Sequence, residues 1–287
     1  MSETGNSRLT GGCFCGAVRY SVQGPARETY HCHCTICRKT HGAVMLTCSA
    51  FAKGGFVVEK GADEVATYDS SEKIHRSFCS HCGCHLWDME EGEEDVVMIA
   101  TGALDHGQHP GHVGLPRHIY ANAKIPWYII ADGAEQEPGP DPVPEVVAPG
   151  TFPLYGGCQC GTVRYRLDGP AKETYHCHCE MCRKLHGAVV TTFSYIKREL
   201  IAIEQGRENL GLIDSSPPNH RMFCKTCGCP LFSDDEREPE YFWFSPATLD
   251  GGANPAPAPG QAVRHIFAAH RMPWFEITDG APQSDDF

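Results

Sequence analysis

His31-Cys-His-Cys-Thr-Ile-Cys-Arg-Lys-Thr-His-Gly-Ala43 returns 145 residues later as His176-Cys-His-Cys-Glu-Met-Cys-Arg-Lys-Leu-His-Gly-Ala188. Outward from this stretch the match continues: residues 12–44 and 157–189 agree at 24 of 33 positions. Eight cysteines of the first half (13, 15, 32, 34, 37, 79, 82 and 84) recur at the same offset. A period this long is no solenoid repeat, so each unit reads as a domain. Towards the C-terminus the offset grows to 147, pairing His118 with His265 and Trp127 with Trp274. That places a two-residue insertion in the Pro-rich stretch Asn254–Gly260. EQEPGPDPVPEVVAPG (135–150) has five prolines and almost no periodicity, the mark of an extended linker. The expected organisation is a first domain over 8–136, a linker over 137–151 and a second domain over 152–283.

Composition narrows the function classes. The chain has 287 residues, 41% hydrophobic and 21% charged, as in a globular protein. Its formal charge of −12 comes without a basic block, which argues against nucleic acid as a partner. The longest apolar runs, such as 96–100 and 127–131, are too short to cross a membrane. The polar start MSETGNSRLT lacks the apolar core of a secretory signal. Seventeen cysteines, an odd number, cannot all pair within the chain. A reducing, cytoplasmic setting is expected, where clustered cysteines read as metal sites or catalysis.

The segments 17–22, 162–167, 43–48, 56–60, 96–101 and 127–132 are short, rich in β-branched or aromatic residues and bounded by turn residues. No segment carries a sustained 3.6-residue apolar stripe; one helical turn is expected after Cys34. The predicted fold class is all-β, two tandem zinc-binding domains of small twisted antiparallel sheets.

Each repeat contains C-x-C, C-x-C-x2-C and C-x2-C-G-C. Thiolates two or three residues apart converge on one soft tetrahedral cation, and zinc is the default. The spacings do not match iron–sulfur patterns, and C-x-C pairs are awkward for disulfides. Seven thiolates per copy divide into four plus three: four close a structural site, and three leave a position open for chemistry.

GGCFCGAVRY, HCHCTICRKTHGA, FCSHCGCHLW and the later HIY, with GGCQCGTVRY, HCHCEMCRKLHGA, FCKTCGCPLF and HIF in the second copy, resemble the glutathione-dependent formaldehyde-activating enzyme family, which also includes centromere protein V. The resemblance covers nearly all of both copies. It implies two zinc ions per domain. Cys13, Cys15, Cys79 and Cys82, and Cys158, Cys160, Cys224 and Cys227, would hold the structural ion. Cys32, Cys34 and Cys37, and Cys177, Cys179 and Cys182, would hold the catalytic one, where glutathione meets an aldehyde.

Cys84 and Cys229 depart from the family's small residue after the last C-x2-C-Gly, and are candidates for a fourth ligand on the three-cysteine ion. Arg38, Lys39, Arg183 and Lys184 follow the central cysteines and are candidates to bind anionic glutathione. Arg76 and Arg221 read equally as salt-bridge or substrate contacts. His31, His33, His176 and His178 flank ligands and read as their supports. His41, His186, His118 and His265 are candidate proton shuttles. Asp105 and Asp250 read as turn caps, and Trp127 and Trp274 as core.

The leading expectation is a zinc-dependent carbon–sulfur lyase, or its reverse, acting on glutathione or other thiol adducts of an electrophilic small molecule. The alternatives are a zinc enzyme dehydrating or isomerising a larger metabolite without glutathione, or a non-catalytic glutathione-carrier or interaction module.

Overall fold

A computed structural model describes residues 8–140, 143–144, 147–256 and 263–287. The expected insertion in Asn254–Gly260 falls in part on residues outside that set. Each copy pairs a small sheet with a large one. In the first copy Arg8–Gly12, Arg19–Gln23 and Phe56–Lys60 form a three-stranded antiparallel sheet. The eight-stranded sheet runs in the spatial order Gln136–Glu137, Arg117–Ile119, Glu28–Cys32, Leu46–Ala52, Val96–Ala100, His85–Glu90, Ile74–Cys79, Val65–Asp69. The second copy repeats this with Leu154–Gly157, Arg164–Leu167 and Ile201–Gln205, beside a seven-stranded sheet ending at Arg264–Ile266.

The all-β reading holds, and most pairings are antiparallel. The exceptions lie at one edge of each large sheet, where Arg117–Ile119 runs parallel to both Glu28–Cys32 and Gln136–Glu137, and Arg264–Ile266 runs parallel to Glu173–Cys177. Gln136–Glu137 thus belongs to the sheet, although the sequence reading begins the linker at 137. The helices are α1 (Thr35–His41) and α2 (Glu180–His186), longer than the single turn expected. Each starts on a cysteine whose sulfur accepts the N–H three residues on, Cys34 from Cys37 and Cys179 from Cys182. Each ends on a left-handed glycine, Gly42 or Gly187, where a side chain would be strained.

The stretch 127–132 is not a strand. After a turn at Pro126-Trp127 it runs as irregular chain, with Ile129 exposed. Trp127 and Tyr128 pack on a cluster drawn from both halves, Val44, Met45 and Ile125 with Val189, Val190 and Met272. The Trp127 Nε1 donates to the Gly252 carbonyl. Trp127 is therefore packed, as expected of a core residue, but at the seam between copies.

That seam is reciprocal. His41 Nδ1 donates to the His186 carbonyl at 2.7 Å, and His186 Nδ1 to the His41 carbonyl at 2.8 Å. Lys39 meets Asp250, and Lys184 meets Asp105, each at 2.5 Å. Residue i touches j and its counterpart returns the contact, the signature of a two-fold interface. Gly102 backs directly onto the Ala188 backbone, where a Cβ would stand 2.4 Å from the amide nitrogen.

Asp105 and Asp250 do more than cap turns. Asp105 accepts from Arg19 and Thr10 of its own copy and from Lys184 of the other. Burial alone would raise its pKa, but these donors outweigh it and hold the carboxyl well below 3.8. A depressed folded pKa stabilises the fold above the unfolded value, and that contribution is lost as pH falls through the folded one. Asp105→Asn is expected to cost about 2 kcal/mol at pH 7. The gap from the wild type should narrow below about pH 4, as read by denaturant unfolding at several pH values.

Candidate metal centre

The thiols of each copy gather into two groups. Cys13 and Cys15 leave the turn after the first strand and meet Cys79 and Cys82 from the hairpin before His85. The Cys13–Cys15 sulfurs are 3.5 Å apart and Cys15–Cys79 3.7 Å. In the second copy Cys158–Cys160 is 3.4 Å and Cys160–Cys224 3.7 Å, with Cys227 as the fourth. These are not bonded distances, since a disulfide needs about 2.05 Å. A tetrahedral ion with metal–sulfur bonds of about 2.3 Å would set its ligands about 3.8 Å apart. The four-sulfur groups therefore fit one ion each.

The second group is built by the helix start. Cys32 ends its strand, Cys34 caps α1, and Cys37 lies one turn in. Cys177, Cys179 and Cys182 repeat this, with 3.6 Å between the first two sulfurs. In each trio all three sulfurs lie within 4.8 Å of one another. Three donors on one side leave the fourth tetrahedral position to something else.

The guanidinium of Arg76 touches the Cys37 sulfur at 3.4 Å, and that of Arg221 touches Cys182 at 3.3 Å. The neighbouring thiols Cys32 and Cys34 first, and Arg76 next, hold the Cys37 thiol well below its ordinary pKa against the effect of burial. The same holds for Cys182 with Cys177, Cys179 and Arg221. Both arginines thus sit on the ligand sulfurs, and among the described residues only Arg76 of the two also forms a salt bridge, to Asp88 at 2.8 Å. Burial pushes Asp88 up to about 6 although Arg76 pulls the other way.

Cys84 and Cys229 join neither trio. Cys84 stands beside Cys82, and its thiol donates across the seam to the Lys184 carbonyl at 2.6 Å. Cys229 does the same to the Lys39 carbonyl at 2.7 Å. Arg38 and Arg183 are buried against α1 and α2, and Lys39 and Lys184 are tied to Asp250 and Asp105 across the seam. None of the four lines the cavity beside the second trio.

The histidines flanking the ligands form buried chains. His33 Nε2 meets His118 Nδ1 at 2.8 Å, and His118 Nε2 meets Asp132 at 2.8 Å. His178, His265 and Asp279 repeat the chain at 2.8 and 3.0 Å. His31 and His176 bond Thr47 and Thr192 across the strand pair. His41 and His186 are neutral at pH 7, because burial lowers each to about 4. Their Nδ1 hydrogens are fixed by carbonyl acceptors, so Nε2 carries the lone pair. Trp274 packs on the seam cluster and meets His109 and His112 edge-on.

The site also contains groups the sequence reading passed over. Beside the second trio is a cavity of about 560 Å³, walled by Tyr175, Phe193, Trp243 and Phe267 and reached by Arg221 and Ser233. Its aromatic residues come from four separate strands and loops, so no local motif announces it.

Fold and site together define a tandem all-β protein organised around cysteine clusters fit to hold metal ions. A family model described as glutathione-dependent formaldehyde-activating enzyme matches residues 8–123 and 153–269, and the chain belongs to that family. A Halomonas elongata protein called "Putative glutathione-dependent formaldehyde-activating enzyme" is 31% identical over 140 residues, which is 45% of this chain and 84% of that protein. A Fusarium vanettenii protein with the same description is 31% identical over 94 residues, 31% of this chain and half of its own length. A crystal structure of a Rhodobacter sphaeroides protein aligns at TM-score 0.30 and 24% identity, over 34% of this chain and 88% of that one, too weakly to bear on the argument.

Cys37→Ser and Cys182→Ser are each expected to lower bound metal by about one ion per chain in elemental analysis. Cys84→Ser and Cys229→Ser should retain full metal content and instead weaken the seam, by about 1 kcal/mol in denaturant unfolding.

Proposed function

We propose that the chain is a zinc-dependent carbon–sulfur lyase, working in either direction on glutathione adducts of an aldehyde or another electrophilic carbonyl compound. The observation that carries this reading is the open trio Cys177, Cys179 and Cys182 on the wall of the aromatic cavity. Family membership and the names of the two relatives support the same chemistry. The units doing this work are the copies over 8–136 and 152–283. A reducing cytoplasm suits a chain whose seventeen cysteines are all free.

Each copy would hold two zinc ions, one on its four-sulfur group and one on its trio. Zinc on the trio, when bound, lowers the pKa of an added thiol and polarises an adjacent oxygen. The chain's own residues supply the rest. Three cysteines fix one face and leave the cavity side for the glutathione sulfur. Arg76 or Arg221 stands against the charge of the sulfurs. The walls of Tyr175, Phe193 and Trp243 shield the reacting carbon from water. His41 and His186 remain neutral and hold the C-terminal ends of α1 and α2 in place.

Calorimetric titration of the zinc-loaded chain with reduced glutathione, against S-methylglutathione, tests this reading. Binding of the free thiol, lost with the blocked one and lost after chelation of zinc, is the expected result. Equal binding of both compounds, or of neither at millimolar concentration, overturns it.

A further inference from the structure

The two trios look alike, but their arginines do not have the same partners. Arg76 lies opposite Asp88 in its strand pair, and Arg221 lies opposite Ser233 in the corresponding pair. Arg76 uses all three nitrogens: Nε to Ser70, Nη2 to the Cys37 sulfur and Nη1 to Asp88. Arg221 repeats the first two contacts, with Ser215 and Cys182. Its Nη1 has no acceptor among the described residues, because Ser233 turns its hydroxyl to Asn219 at 2.9 Å. Two acids line the cavity with Arg221: Asp235, which Arg237 takes at 2.5 Å, and Glu238. Arg221 therefore brings to the cavity a cation with no carboxylate partner among the described residues, while Arg76 is neutralised.

The walls differ in the same direction. Cys48 and Met98 of the first copy are replaced by Phe193 and Trp243. Arg221 stacks over the Phe193 ring at 5.1 Å, which fixes the plane of its guanidinium. In the first copy Tyr30 and Met98 instead border a hollow lined by Arg27 with Glu28, Glu90 and Glu93, one cation to three carboxylates, which disfavours an anion more than the two cations and two carboxylates of the second cavity.

Resting on the lyase reading above, we propose that the second copy is the substrate site and that Arg221 selects an electrophile bearing a carboxylate beside its carbonyl, a 2-oxo acid with an apolar substituent of aromatic size. The geometry sets the class. Arg221 touches the trio through Nη2, so an oxyanion on Nη1 lies close to a sulfur held at Cys182. The carboxylates of glutathione are separated from its own sulfur by a peptide unit or a longer arm. In a 2-oxo acid the carboxylate is one bond from the carbon that takes the sulfur. That carboxylate meets a planar fork suited to it, and the substituent fills the aromatic wall. The step is an addition without redox change. The glutathione thiol gives up its proton as its sulfur bonds to C2, the carbonyl π pair moves onto oxygen, and that oxygen takes one proton, so none is gained or lost overall. The reverse breaks the carbon–sulfur bond and returns the proton to the sulfur.

The test uses the zinc-loaded full chain with glutathione present. Phenylglyoxylate, benzaldehyde and formaldehyde are compared by calorimetric affinity and by ultraviolet loss of the aryl carbonyl band. Phenylglyoxylate should bind about 10-fold or more tightly than benzaldehyde. Ser233→Asp, which restores the partner that Arg76 has, and Arg221→Gln should each remove that preference, with zinc content and unfolding midpoint showing that both variants are folded. Equal affinity for phenylglyoxylate and benzaldehyde, or a preference that survives both substitutions, overturns the assignment of Arg221 and leaves the lyase reading standing. Failure of all three carbonyl compounds to react with glutathione overturns the lyase reading, and this proposal with it.

Discussion

The convergence of thiols from distant parts of the chain is the constraint on which the architecture rests. Cys13 and Cys15 belong to the turn beside the small sheet, and Cys79 and Cys82 to a hairpin of the large one. Bringing four sulfurs into contact pins the two sheets together at that corner, and Cys158, Cys160, Cys224 and Cys227 do the same in the second copy. Neither sheet has a helix layer to cover it, so little else fixes their relative position. The hydrophobic core then fills the space between them, with Tyr20, Phe56 and Trp87 packed ring against ring in the first copy. Tyr165, Phe232 and Phe244 take that place in the second. Crowded sulfurs without a cation between them would be an expense to the fold, since each carries partial or full negative charge. A bound metal ion turns that repulsion into the tie itself.

The second level of organisation is the seam. α1 and α2 present to it their left-handed glycines, their lysines and the reciprocal histidine pair. Because each helix carries one of the trio's sulfurs and is capped by another, the partner copy holds the helix end and thereby steadies the metal-binding face. Cys84 and Cys229 join this arrangement through their thiol donation to the backbone of the opposite helix. Each copy's trio is thus positioned partly by the other copy, which gives a physical reason for the duplication to stay in one chain.

Within this near-symmetry, the exchange of Asp88 for Ser233 changes what the site presents to a ligand. A buried carboxylate opposite an arginine closes a charge pair; a serine leaves the guanidinium available. The aromatic replacements at Phe193 and Trp243 act with it, supplying apolar surface next to a cation. One duplicated scaffold then carries a self-neutralised trio in its first half and a receptive one in its second.

The duplication, the β class and the cysteine clusters were legible in the chain alone, because these depend on local spacing; which clusters share an ion came from the family resemblance. C-x-C and C-x2-C are local geometry, and a 145-residue offset is visible without any fold. Strand positions near the helices were less legible. Ala43, Val44 and the 127–132 stretch have strand-like composition, yet they are spent on the seam, which has no local signature. The surroundings of Arg38, Lys39, Arg183 and Lys184 were no more legible. They follow the ligands in sequence, but Lys39 and Lys184 meet Asp250 and Asp105 of the other copy, while Arg183 donates to the His178 carbonyl of its own. Tertiary structure alone decided that Cys84 and Cys229 face a backbone carbonyl, that Arg76 and Arg221 reach the trio from 39 residues away, and that only one of them has a carboxylate opposite. Such facts are set by strand register and by a two-fold packing of domains, and pairwise contacts over those distances leave no periodic trace in a single chain.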